Sequence, residues 1–182
     1  MRKRVLHTDG FCLYTKYVNG LFNYGVSMGF SEQVCMDAIH DVFCNLYANE
    51  KCENILNIKH YLFGSLKNRL IDIYRKSSKI STFQVEDLPF TIEVSILDTI
   101  IADDERAILK ANVEKLLKTL TNRQRESIYL RYMQELSYEE ISVLLDMTPE
   151  SARKLVHRSI EKMRKSAKND SVLLVLLLLF PS

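Results

Sequence analysis

Apolar side chains recur along this chain at the spacing of amphipathic helices, and polar stretches divide them into segments. From about Phe11 to Lys79 three such stretches follow one another: "LYTKYVNGLFNYGVSMGF", "SEQVCMDAIHDVFCNLYAN" and "NIKHYLFGSLKNRLIDIYRK". In the second, Val34, Ala38, Val42, Leu46 and Tyr47 return at helical spacing, and Ser31 ahead of Glu32 and Gln33 supplies a helix start. In the third, Tyr61, Leu62, Leu66, Leu70, Ile73 and Tyr74 form an apolar stripe, while Lys67, Arg69, Arg75 and Lys76 fall outside it as a basic flank. The stretch "SSKISTFQVEDLPFTIEVSILDT" then breaks the pattern with Ser, Thr, Pro89 and the acidic Glu86, Asp87, Glu93 and Asp98. Helical periodicity resumes at about Ile100 and continues to Lys168, and an apolar run, Ser171 to Phe180, follows. The expectation is an all-α protein with two small helical domains, 8–79 and 100–168. A flexible linker over 80–99 joins them, and 169–182 forms an apolar tail.

The most informative local pattern is "LSYEEISVLLDMTPESARKLVHRSIEKM", Leu136 to Met163. Ser137 followed by Glu140 reads as a capping box, and Ile141, Leu144 and Leu145 make one inner face. Asp146-Met147-Thr148 reads as a turn. Thr148 then caps a second helix, whose first position is Pro149, where no amide donor is needed. Ala152, Leu155, Val156, Ile160 and Met163 form its inner stripe. Arg153, Lys154, His157 and Arg158 point elsewhere, and Lys162, Arg164, Lys165 and Lys168 continue the basic character. A short helix, a tight turn and a basic amphipathic helix make a helix-turn-helix, with the second helix suited to the major groove. Lysine and arginine neutralise phosphates, arginine pairs with guanine edges, and a small residue such as Ser151 near the helix start permits close approach.

Composition sharpens this picture. The formal net charge is only +2, so any affinity for nucleic acid must come from local clustering of the kind just described. Five glycines and three prolines agree with a mostly helical chain. Cys12, Cys35, Cys44 and Cys52 include no C-x-x-C pair and read as ordinary reduced thiols. The basic N-terminus has no apolar core after it, so no secretory signal is expected. The apolar tail is shorter than the about 20 residues a membrane-spanning helix needs, and reads as a packing segment. No nucleophile-base pairing, Gly-rich phosphate loop or metal cluster stands out, so neither an enzyme nor a cofactor is expected, and no small-molecule substrate.

The order of the motifs resembles that of a bacterial RNA polymerase sigma factor of the sigma-70 family, in its two-domain, extracytoplasmic-function (ECF) form. "DAIHDVF" (Asp37 to Phe43) is similar to the region 2.2 signature, and "YLFGSLKNRLIDIYRK" (Tyr61 to Lys76) to regions 2.3–2.4. "LTNRQRESIYLRYMQELSYEEISVLLDMTPESARKLVHRSIEKMRK" resembles region 4. The resemblance runs from about Leu13 to Lys165 and assigns expectations to residues. Asp37, His40, Asp41 and Phe43 would grip the β′ clamp coiled coil of core RNA polymerase, with His40 standing where the family usually has Gln. Lys67, Asn68, Arg69, Asp72, Arg75 and Lys76 would meet the promoter −10 element, and the loop Ala48 to Leu56 takes the position of the base-specificity loop. Ser151, Arg153, Lys154, His157 and Arg158 would read the −35 element, and region 4 would also touch the β flap. Asp146 replaces the usual turn glycine and Ser142 a common alanine.

The resemblance therefore implies a cytoplasmic transcription initiation factor. Its partners would be core RNA polymerase, promoter DNA and an anti-sigma factor. It would recognise −35 and −10 elements and aid −10 melting. The alternative from the residues alone is a stand-alone helix-turn-helix regulator, which leaves "DAIHDVF" and the "KNRLIDIYRK" helix unexplained.

Overall fold

The computed structural model describes residues 3–48, 55, 57–77, 88–92 and 103–167, with backbone alone at 3–11, 77 and 103–109. The apolar tail, Cys52, Lys168 and most of the Ala48–Leu56 loop lie outside the described residues. Every regular element among the described residues is helical, in accord with the all-α expectation. The chain divides into two compact units, Met1–Leu88 and Pro89–Ser182.

Among the described residues the first unit holds three helices, α1 (Lys3–Ser27), α2 (Glu32–Ala48) and α3 (Ile58–Ser77), each packed on the other two. Local chemistry sets their ends. Gly29 takes φ 84°, the left-handed conformation that a helix C-terminus favours for glycine, and its amide bonds Val26 O at 2.9 Å. Ser31 Oγ accepts from the Val34 amide to start α2, and Asn57 Oδ1 accepts from the His60 amide at 3.1 Å to start α3. Leu21, Tyr24, Cys35, Ile39, Leu46, Leu62, Phe63, Leu66 and Leu70 are fully enclosed in the core. Tyr24 and Phe63 pack with ring centroids 5.3 Å apart. Gly25 lets α1 approach α2 closely: a Cβ there would stand 2.7 Å from Cys35 Sγ. Burial in that seam pushes the Cys35 thiol up to about 11, with the Glu32 carboxylate adding to the rise.

The second unit holds α4 (Asp103–Lys118), α5 (Asn122–Ile128), α6 (Tyr138–Leu144) and α7 (Pro149–Ser166). Thr121 and Gln124 form a reciprocal capping box at the start of α5. After α5 the chain widens into one π-type turn, Tyr129–Met133, closed by the Gln134 amide on Tyr129 O. Glu135 then takes φ 52°, and the buried Leu136 follows it. Residues 88–92, inside the segment read as a linker, are in neither helix nor strand, yet Phe90 and Ile92 are buried. Phe90 packs edge-on to Tyr129 at 5.5 Å, and Arg125 holds its carbonyl through Nε at 2.5 Å. The same guanidinium bonds Leu117 O, Leu120 O and Asn122 Oδ1, so one cation fastens the end of α4, the start of α5 and the Phe90 strap. A polarity-based reading of that stretch passes over Phe90, because its partners Asn122, Arg125 and Tyr129 lie 30 to 40 residues away in sequence.

Candidate nucleic-acid interface

The helix-turn-helix is built from local rules that the sequence states openly. Ser137 N donates to Glu140 Oε2 at 2.6 Å and Glu140 N to Ser137 Oγ at 3.2 Å, completing the expected box. α6 ends at Leu144 with Leu145 as its C-cap, and Asp146 takes φ 48° in the turn, a conformation that a short polar side chain tolerates. The Met147 amide bonds Ser142 O at 2.9 Å, and Arg123 Nη2 donates to the carbonyls of Leu145 and Asp146, bracing the turn from outside. Ser142 itself is buried and bonds Glu139 O, so the position demands a small side chain. Thr148 Oγ1 accepts the Ser151 amide at 3.2 Å and donates to Ser151 Oγ at 2.8 Å, and Pro149 opens α7.

α7 then sorts its residues cleanly. Ala152, Val156, Ser159, Ile160 and Met163 are buried, and Leu155 is half-buried. Ser151, Arg153, Lys154, His157 and Arg158 are all exposed, so the structure brings the five expected residues together on one outward face. Lys154 Nζ lies 3.3 Å from Glu150 Oε1, a solvated i,i+4 pair that holds little energy. Lys162 is drawn away from that face: its Nζ donates to Thr119 O at 2.6 Å and ties α7 to the end of α4.

The first unit is less simple. On α3, Asn68, Asp72, Arg75 and Lys76 are exposed along one stripe. Lys67 is not with them. It is only 6% exposed, because α3 turns consecutive pairs inward (Leu62 and Phe63, Leu66 and Lys67, Leu70 and Ile71), which corrects its expected place on the basic flank. Arg69 is half-exposed and bonded to α2, with Nε at 3.0 Å and Nη2 at 2.6 Å from Asp41 Oδ2. On α2, Asp37 and His40 are exposed, and His40 Nε2 lies 3.5 Å from Cys44 Sγ. Phe43 is a second correction. It is 3% exposed, packed on Tyr14 at 5.0 Å and on Tyr47 at 6.0 Å, so it fills the core and offers no anchor to a partner. The large apolar side chains that α2 does expose are Met36, which sequence reading did not single out, and Tyr47, which it placed in the apolar stripe.

Residues 110–163 match the family model described as sigma-70, region 4. The matched interval holds the capping boxes, the turn and α7 through Met163. Over 152 residues the chain is 22% identical to the ECF RNA polymerase sigma factor SigM of Bacillus subtilis (strain 168), covering 84% of this chain and 91% of SigM. The fold is similar to that of the sigma factor RpoE of Bartonella quintana, crystallised with the anti-sigma factor NepR. The TM-score is 0.57 at 19% identity, over 89% of this chain and 98% of RpoE. Residues 110–163 thus match a sigma-70 region 4, and the chain is similar to sigma-70 family factors of the ECF type.

The division of labour among cations is instructive. Arg123 and Arg125 face backbone carbonyls and build the frame, whereas Arg153 and Arg158 stand outward. Burial lowers the Arg125 pKa, which reflects how much water its bonds replace. The framing role of Arg125 was legible only in part: Thr121-x-x-Gln124 announces the helix start, but nothing local names Phe90 O as a partner. Among the described residues, no helix is long and apolar enough to cross a membrane, and no three ligating side chains cluster as a metal site.

Proposed function

We propose that this chain is a cytoplasmic transcription initiation factor that binds core RNA polymerase and directs it to promoters carrying −35 and −10 elements. The exposed, basic outward face of α7 carries this reading, because five polar residues stand there on a rigid, doubly capped scaffold. Ser151, Arg153, Lys154, His157 and Arg158 contact the −35 duplex. Lys and Arg supply phosphate neutralisation and Arg bidentate base contacts. Asn68, Arg69, Asp72, Arg75 and Lys76 line the path of the −10 strand. Asn68 is the neutral pocket group, and Arg75 and Lys76 follow the backbone. Asp37 and His40, with the exposed Met36 and Tyr47 beside them, give α2 an acidic and apolar face for the basic clamp helices of the β′ subunit. Region 4 also touches the β flap.

The factor performs no covalent chemistry. Melting draws on binding energy that offsets lost stacking, a few kcal/mol per step. An anti-sigma partner belongs to the same reading, since RpoE was crystallised with one.

The test is a pull-down of purified chain with bacterial core polymerase, followed by run-off transcription from a promoter pool. Stable core binding with new start sites is expected, and the recovered promoters define both elements. Tight duplex binding without core binding would instead make the protein a stand-alone regulator.

A further inference from the structure

The Asp41–Arg69 pair joins the helix assigned to polymerase docking and the helix assigned to the −10 strand. The two residues are 28 positions apart, so this is a tertiary bond, unlike the local Lys154–Glu150 pair on α7. Two N–H groups of one guanidinium converge on a single carboxylate oxygen, at 3.0 and 2.6 Å. Both side chains nevertheless stay open to water, at 40% for Arg69 and 43% for Asp41. A guanidinium has five N–H donors, and Nη1 lies outside this pair. Both bonds end on Asp41 Oδ2, so Arg69 can meet an outside anion through its remaining donors while keeping Asp41.

We infer that Asp41 is a positioning residue: it holds the Arg69 guanidinium in the orientation that meets promoter DNA. This rests on the proposed contact of α3 with the −10 strand. A free arginine loses rotamer freedom when it binds a phosphate, and one already fixed by two bonds has less to lose. Its planar fork then fixes where the remaining donors aim. Because Asp41 neutralises the charge, the Arg69 contact works through directed bonds and depends little on salt. Arg75 and Lys76, exposed further along α3, supply the salt-dependent part.

The experiment uses the full chain, core polymerase and a promoter from the run-off selection with 2-aminopurine placed in its −10 element. Core affinity, the rate of the fluorescence rise on opening, and the thermal midpoint of the chain are each measured. Asp41→Asn and Arg69→Gln should each slow opening at saturating core polymerase by about tenfold and combine non-additively. Arg69→Lys should behave like Arg69→Gln despite its charge, because it lacks the Nε donor. The swap Asp41→Arg with Arg69→Asp should recover the thermal midpoint but not the opening rate. Recovery of both would mark a purely structural bridge and overturn the inference. Wild-type chain that fails to bind core polymerase would remove the proposed function and this inference with it. Wild-type chain that binds and opens, with Asp41→Asn indistinguishable from it, would overturn the inference alone.

Discussion

α7 and α3 are both basic helices assigned to DNA, yet they treat their cations differently. α7 leaves Arg153, Lys154, His157 and Arg158 outside, touched by no more than one solvated ion pair, while Arg123 on α5 braces the turn and Lys162 ties the far end of α7 to Thr119. α3 keeps two of its cations for the fold: Lys67 is enclosed and Arg69 is bonded to Asp41. The difference suits the two tasks. Reading a duplex asks for a rigid helix with a free face. Capturing a single strand beside a docked partner asks for groups held in place from two helices at once.

The widest break of this comparison comes from removing the free cations of α7. Arg153→Ala with Lys154→Ala should weaken binding to a −35 duplex by about a hundredfold and lower the salt slope by about 2, as two lost phosphate contacts require. The thermal midpoint should not move, since both residues are exposed. Fluorescence anisotropy across a salt series measures all but the last, and an unchanged slope would reassign the face.

The framing cations should show the opposite behaviour. Arg125→Ala removes four hydrogen bonds to three backbone carbonyls and the Asn122 side chain. The loss should cost about 2–3 kcal/mol in urea unfolding, at the scale of bonds from a charged donor to half-buried acceptors. Arg125→Lys should recover little of it, because a point charge cannot span Phe90 O, Leu117 O and Leu120 O together. Stability falls here while the outward face of α7 stays chemically intact.

How far the sequence could be read follows the same division. Around α6 and α7 the signals are local: Ser137 with Glu140, Asp146 at positive φ and Thr148 ahead of Pro149 each act within four residues, and each does what its chemistry indicates. The misplaced residues are those whose fate depends on distant partners. Lys67 and Phe43 look like flank and anchor along the chain, and burial against other helices decides otherwise. Asp41 and Arg69 each read as solvent-facing until α2 and α3 are laid together. Phe90 is hidden among Ser, Thr and acidic neighbours, and distant Tyr129, Asn122 and Arg125 reveal its role.

A smaller effect probes the seam that places α2. Gly25→Ala puts a Cβ 2.7 Å from Cys35 Sγ, so the two helices must part, at a cost of about 1–3 kcal/mol. In a Cys35→Ala background the same change should cost less, because the sulfur it meets is gone; equal costs in both backgrounds would place the strain elsewhere. The raised Cys35 pKa adds a sign. The folded state holds its proton more tightly than the unfolded chain, so this contribution is complete below the ordinary thiol pKa and declines as pH rises toward about 11.

The smallest expected effect is the sharpest test of the contrast between the two helices. Lys67 shares the inward face of α3 with Phe63, Leu66, Leu70 and Ile71, and its 6% exposure leaves no surface for a phosphate. Lys67→Met keeps an unbranched side chain suited to an enclosed site, so stability should stay within about 1.5 kcal/mol of wild type. If Lys67 were a −10 phosphate contact, its loss would lower the salt slope for single-strand capture by about 0.7. We expect no change in that slope for Lys67→Met and a full decrement for Arg75→Gln, whose side chain is exposed one further face along the same helix. Both slopes come from one salt titration with a single-stranded −10 oligonucleotide and the polymerase-bound factor. Equal decrements would mean that α3 turns Lys67 outward when the strand arrives, and the helix would then be closer in behaviour to α7 than its packing indicates.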